Sequence, residues 1–175
     1  MSCIELINFT IPGTPKALKR HRSTRSGHMY DPSATDKKEM WLQIARFKPK
    51  QPLAGDIFMK VIFHMPYKKY MYRTGKYSHL LKDSYKDMKY HSYKPDLDNL
   101  VKMVADVVQP QMICDDSQIC VLQAEKKYGE PKIEVTIQKI SWLHQGKTLL
   151  RMWADAVWST SHGSSRHGRC EQGWV

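Results

Sequence analysis

The chain has 175 residues, of which 41% are hydrophobic and 26% charged, and it carries a net charge of +11. This suits one compact domain with a short appendage and excludes wholesale disorder. No run approaches the ~18–20 apolar residues of a membrane span, and the start MSCIELINFT lacks the basic-then-apolar pattern of a signal peptide, so a soluble, cytoplasmic protein is expected.

Residues 4–11 (IELINFTI) read as a first strand, closed by Pro12-Gly13 and Pro15. A basic loop with Lys16, Lys19, Arg20, Arg22 and Arg25 follows. Asp31-Pro32-Ser33 is a helix start signal, and Met40, Trp41, Ile44, Ala45 and Phe47 recur at roughly helical spacing until Pro49 and Pro52. Residues 56–65 alternate, with Ile57, Met59, Val61, Phe63 and Met65 on one face, and Pro66 stops that strand. The segment 67–94 has seven tyrosines among eight Lys/Arg and no clear hydrophobic period. It reads either as a solvated loop or as a surface for phosphate contact and base stacking. A second helix is expected over about 98–109, ended by Pro110. Residues 117–128 and 132–140 read as strands joined by a hairpin turn at Gly129-Glu130-Pro131. The fold class is therefore α+β, a small mixed sheet packed with two helices. Residues 1–140 form the domain and 141–175 a tail, with a short helix striped by Leu149, Leu150, Trp153 and Val157 before a polar, disordered remainder. The scattered Cys3, Cys114, Cys120 and Cys170 contain no C-x-x-C pair and are expected as free thiols. His162, His167 and Cys170 have only loose metal-like spacing, and a solvated tail explains them as well.

Charge is unevenly placed. Residues 1–95 hold 19 Lys/Arg against 7 Asp/Glu, whereas 96–139 hold 5 against 8. The basic part attracts a polyanion such as nucleic acid. Carboxylates clustered beside phosphates need cations between them.

The stretch KPDLDNLVKMVAD, residues 94–106, carries that cluster. Lys94 precedes Pro95 and is biased to an extended conformation. Asp96 and Asp98 are two apart, so an extended backbone would project both to one side, with Asp98 capping a helix that starts at Asn99. Lys102 follows Asp98 by four residues and Asp106 follows Lys102 by four, giving one polar stripe. Asp115-Asp116 opens the next strand, and a helix-and-return connection is the kind that could bring that pair back beside Asp96 and Asp98. Clustered carboxylates are costly unless protonated or bound to a cation, and all-oxygen ligands suit Mg²⁺ or Mn²⁺. Near a phosphodiester such an ion polarises the phosphoryl group and activates water. The plainer reading stays beside it: a helix cap with a solvated neighbour, an ordinary Asp98–Lys102 pair, and a turn at Asp115-Asp116.

Three stretches, IPGTPKALKRHR, KPDLDNLVKMVADVV and DDSQICVLQAEKKYGEP, occur in an order that resembles the RusA-type Holliday-junction endonucleases and cover most of residues 7–139. The P-D-x-D-N-L-x-K stretch with a downstream D-D-x-Q is the specific part. The resemblance implies a homodimer that resolves four-way DNA junctions by paired Mg²⁺-dependent nicks. It carries the catalytic carboxylates onto Asp96, Asp98 and Asp116 and the lysine onto Lys102, with Asp115 as the next candidate metal ligand. Lys16, Lys19, Arg20, Arg22 and Lys94 then fall where the family contacts DNA. The segment 67–94 is longer than in compact members, and residues from about 141 match nothing in the pattern. Two other readings remain: a non-catalytic DNA-binding accessory protein with structural aspartates, and a related nuclease that prefers flaps or other branched DNA.

Overall fold

Four strands make the main sheet of the computed structural model, which describes residues 5–140. In chain order the elements are β1 (Leu6–Pro12), the short β2 (Arg22–Ser23) and β3 (Met29–Tyr30), α1 (Ala34–Ile44), β4 (Ile57–Met65), the single-turn α2 (Asp83–Lys86), α3 (Leu97–Val108), β5 (Ile119–Tyr128) and β6 (Lys132–Lys139). The sheet order is β1-β6-β4-β5. Strand β6 runs antiparallel to both neighbours and β5 runs parallel to β4. The α+β expectation holds.

Register explains the core. Ile7, Ile137 and Met59 lie abreast across three strands, as do Phe9, Val135 and Val61, and then Ile11, Ile133 and Phe63. Period-2 alternation places these nine side chains on one face, and all are buried. Against them pack Met40 and Ile44 of α1 and Leu100, Met103, Val104, Val107 and Val108 of α3. After α1 a tight turn at Ala45–Phe47 brings Phe47 onto Phe9, ring centroids 5.9 Å apart.

The expected hairpin between the last two strands is not formed. Strand β4 lies between β5 and β6 and hydrogen-bonds to both. Ile57, Met59, Val61, Phe63 and Met65 are all buried on its inner face and Phe58 is buried on the other, and a strand so apolar gains most from the centre of the sheet. Residues 129–131 therefore cross the end of β4, where the Gly129 N–H donates to the Met65 carbonyl at 3.0 Å and the Gly13 N–H to the Pro131 carbonyl at 3.0 Å. The parallel β4–β5 pair needs a long crossover, and the segment containing α3 provides it.

Two stretches read as loops have structure. The basic loop forms a small ribbon, with Arg22 opposite Tyr30 and Ser23 opposite Met29, and turns at Gly27 with φ +82°. Segment 67–94 buries Met71, bridges Tyr72 to Leu81, and lays Tyr90 against Lys127. The His91 N–H donates to the Lys126 carbonyl at 2.9 Å and the Tyr128 N–H to the Lys89 carbonyl at 3.0 Å. The segment thus covers the C-terminal end of the β5 edge that β4 leaves unpaired, an edge that a sheet otherwise has to protect by other means. Cys114 and Cys120 are exposed free thiols. Among the described residues no helix is long and apolar enough to cross a membrane. The helix and tail expected after residue 140, with His162, His167 and Cys170, lie outside the described residues, as does Cys3.

Candidate active site

Pro95 keeps Lys94 out of the helical region, but the restriction ends there. Asp96 is still extended, with φ −72° and ψ 142°, and α3 begins at Leu97. The Leu100 N–H donates to the Asp96 carbonyl at 3.2 Å, so Asp96 holds the cap position, although its carboxylate accepts no capping bond. Asp98 sits inside the first turn, two residues deeper than expected. Leu97 packs partly buried against the core, which draws the helix start forward. Residues two apart on a helix do not face one another, so the pair is not the parallel projection an extended backbone would give. Both carboxylates are exposed at the positive end of the helix dipole, where negative charge is favourable. Lys102 Nζ stands 3.6 Å from Asp98, with both side chains more than 60% exposed, a surface pair of little energetic weight. Asp106 leaves the expected stripe and binds Lys37 of α1 at 2.8 Å. Burial opposes the charge on Lys37, but Asp106 and Asp31 together hold its amine above the usual range.

The second acidic pair arrives at the other end of the helix. Gln109 Nε2 donates to Asp115 Oδ2 at 3.3 Å. Asp115 Oδ1 accepts the Ser117 N–H at 2.9 Å, and the Asp115 N–H donates to Gln118 Oε1 at 3.2 Å, closing a capping box over the turn Asp116–Gln118. Hydrogen bonds from Ser117 hold the Asp115 carboxyl below the usual carboxylate range. The D-D-x-Q motif thus spends its first aspartate on a turn and leaves Asp116 exposed. The 12 residues of α3 rise about 18 Å, which sets the scale between Asp96 and Asp115. Strand β5 gives a second ruler. It starts beside Asp116, and Lys126, seven residues on, reaches the entrance of α3, its Nζ donating to the carbonyls of Tyr93 and Pro95 at 2.6 Å each. The helix-and-return connection therefore does not bring the two acidic pairs together within one chain. Among the described residues no three His, Cys, Asp or Glu side chains are gathered as metal ligands.

Basic residues flank the α3 entrance. The Leu18 N–H donates to the Asn99 carbonyl at 3.0 Å, pinning the N-terminal basic segment alongside Asp98. Lys16 and Lys19 are partly spent within the fold: Lys16 Nζ lies 2.6 Å from Asp36 and 3.2 Å from Glu39, and Lys19 Nζ 3.2 Å from Asp36. The Asp36 carboxylate raises the Lys16 amine and is itself lowered by it. Arg20, Arg22 and Lys94 are exposed and make no ion pair among the described residues.

Three residues before Lys94 stands a group that hydrophobic periodicity did not single out. His91 is only 5% exposed, and its Nδ1 has no hydrogen-bond partner among the described residues. Burial first, and then the nearby Lys126 charge, push the imidazole below its usual 6.5. Folded His91 therefore binds its proton less readily than unfolded His91. The stability it supports is complete above that usual value and drains as pH falls through the depressed one. The paired carboxylates Asp31, Asp36 and Glu134 are shifted down and titrate at lower pH. Lowering the pH from about 7.5 to about 5 should reduce the melting temperature, and His91→Phe should flatten that dependence. Thermal melts of the two proteins across this window check it. Parallel curves would remove His91 as the cause.

A mixed sheet packed with two helices, with exposed Asp96 and Asp98 at a helix entrance and a basic N-terminal segment tied to the same turn, defines the class as a small α+β domain. Residues 12–138 match the family Endodeoxyribonuclease RusA, and the chain belongs to that family. It is also 33% identical over 144 residues to the uncharacterized protein YqaN of Bacillus subtilis (strain 168), a match covering 79% of this chain and 99% of the relative. The family is one of nucleases acting on branched DNA junctions.

Proposed function

We propose that the chain is a homodimeric, divalent-metal-dependent endonuclease that resolves four-way DNA junctions by paired nicks. The observation that carries this is the position of Asp96 and Asp98 at the entrance of α3, with the basic N-terminal segment tied to the same turn through Leu18 and Asn99. Oxygen donors of this kind suit Mg²⁺ or Mn²⁺, but among the described residues one chain gathers no third ligand with this pair. Asp116 of the partner subunit completes the set, because a two-fold axis can bring the C-terminal end of one α3 to the entrance of the other. That arrangement accounts for an exposed Asp116 beyond the C-terminal end of α3 in its own chain, and makes dimerisation a condition of catalysis. Asp115, committed to its turn, orients Asp116.

A bound ion would supply Lewis acidity to the phosphoryl oxygen and a more acidic water. The chain's own residues do the rest. Arg20, Arg22 and Lys94 hold backbone phosphates on either side of the carboxylates, with Lys16 and Lys19 contributing less because Asp36 shares their charge. Lys102, one turn beyond Asp98 and exposed, donates to the attacking water or the leaving oxygen.

The test uses the full chain with a synthetic four-way junction, a flap and a linear duplex, each with Mg²⁺ and with EDTA. Symmetric nicks in the junction, dependent on Mg²⁺, are expected. Cutting of the flap alone would move the reading to a flap nuclease. Salt-sensitive binding without cleavage under any divalent condition would leave a DNA-binding accessory protein.

A further inference from the structure

Segment 67–94 carries exposed tyrosines that the cutting reaction does not use, and one of them differs from the rest. Tyr67 stacks on Tyr128 with centroids 4.7 Å apart and planes 10° from parallel. Tyr128 meets the edge of the buried His91 at 4.9 Å, and His91 meets Tyr93 at 5.9 Å. Tyr93 is the outer end of this row and is 41% exposed. Lys68 Nζ lies 4.4 Å above its ring. The Tyr93 phenol, by hydrogen bonding, pushes the neighbouring Tyr70 hydroxyl up to about 12. The backbone at Tyr93 is fixed by Lys126, which holds both its carbonyl and that of Pro95.

An exposed aromatic ring is usually mobile and solvated. This one is backed by buried rings, flanked by cations and clamped at its own carbonyl, so little conformational freedom remains to be lost on binding. It lies three residues before Asp96. That spacing spans at most about 11 Å of chain, equivalent to about three base-pair steps of a DNA strand.

We propose that Tyr93 is a stacking site for an unpaired nucleobase at the branch point, holding the strand whose phosphate lies at Asp96 and Asp98. This rests on the junction-nuclease reading and adds to it a reason for branched over linear DNA, since only a branch offers an unstacked base face near the cut. Lys68 and Lys94 neutralise the adjoining phosphates. Stacking depends on the ring and not on the hydroxyl.

The experiment uses a four-way junction with 2-aminopurine at the branch point, in EDTA so that no strand is cut, and a linear duplex of the same sequence. The full chain is compared with Tyr93→Leu, which keeps apolar bulk without a π-face, and Tyr93→Phe, which keeps the ring. Circular dichroism confirms that each is folded. With wild type and Tyr93→Phe, quenched 2-aminopurine emission and tight junction binding are expected. With Tyr93→Leu, the quenching is lost and junction affinity falls about tenfold, with duplex affinity unchanged. Equal quenching by all three proteins, equal loss of junction and duplex affinity in Tyr93→Leu, or failure of Tyr93→Phe to restore binding would overturn the stacking site while leaving the nuclease reading intact. A wild-type chain with no preference for the junction over duplex would sink the parent reading first, in the arm with no variant.

Discussion

Asp98→Asn should cut a four-way junction at least about 100-fold more slowly than the native chain, with equal or tighter junction binding. The size follows from what the carboxylate supplies. Removing one preorganised electrostatic group from a site where charge develops typically costs ~10²–10³ in rate. The amide keeps shape and hydrogen-bonding atoms but loses the charge that attracts a divalent cation. Folding should survive. Asp98 is exposed, its link to Lys102 is a 3.6 Å surface pair, and the lost contributions, that pair and the helix-dipole interaction, are each worth about 1 kcal/mol or less. Binding should improve, because a negative charge is withdrawn from beside the phosphates that Arg20, Arg22 and Lys94 are proposed to hold. Single-turnover nicking with Mg²⁺ and gel-shift titration in EDTA, run on both proteins, separate the two effects. Full-rate nicking by Asp98→Asn would remove this residue from the metal site.

How far the sequence could be read depended on whether a signal was local. Strands β1, β4 and β6 alternate cleanly, and the observed register buries the very side chains that alternation selects. The helix expected over about 98–109 was equally legible and forms as α3, Leu97–Val108. What failed was non-local. The turn signal at Gly129-Glu130-Pro131 is real, but whether the next strand pairs with its predecessor or passes over a neighbour is decided by which strand most needs two partners, and here that is β4. Segment 67–94 has no period because its order comes from the edge of β5 and from ring-on-ring contacts, neither of which leaves a repeat in the chain. Lys126 was unreadable for a similar reason: its role depends on which backbone carbonyls arrive beside it. The place of Asp116 is non-local too: the 12 residues of α3 rise about 18 Å, and the chain after Val108 folds into the capped turn at Asp115 instead of running back along the helix, a choice that the D-D-x-Q spacing does not encode.

That separation leads to the sharpest expectation. Asp98→Asn and Asp116→Asn should each be nearly inactive alone, yet a mixture of the two, after subunit exchange, should recover nicking. If each site takes Asp96 and Asp98 from one copy and Asp116 from the other, a mixed dimer holds one site with both substitutions and one with none. Random exchange of equal amounts makes half of the dimers mixed, so roughly a quarter of the wild-type sites return. The product is informative as well. One live site per dimer nicks a single strand, so junctions should be cut once and remain unresolved, whereas the native dimer makes paired cuts. If all three aspartates instead acted within one chain, every mixed dimer would carry one substitution in each site, and the mixture would stay as inactive as its components. The difference is between a quarter of full nicking and essentially none. It is read on a denaturing gel, with sedimentation establishing in parallel that the chain is dimeric at the concentration used. Recovery without dimers, or dimers without recovery, would each break the link between the exposed Asp116 and the α3 entrance of a second copy.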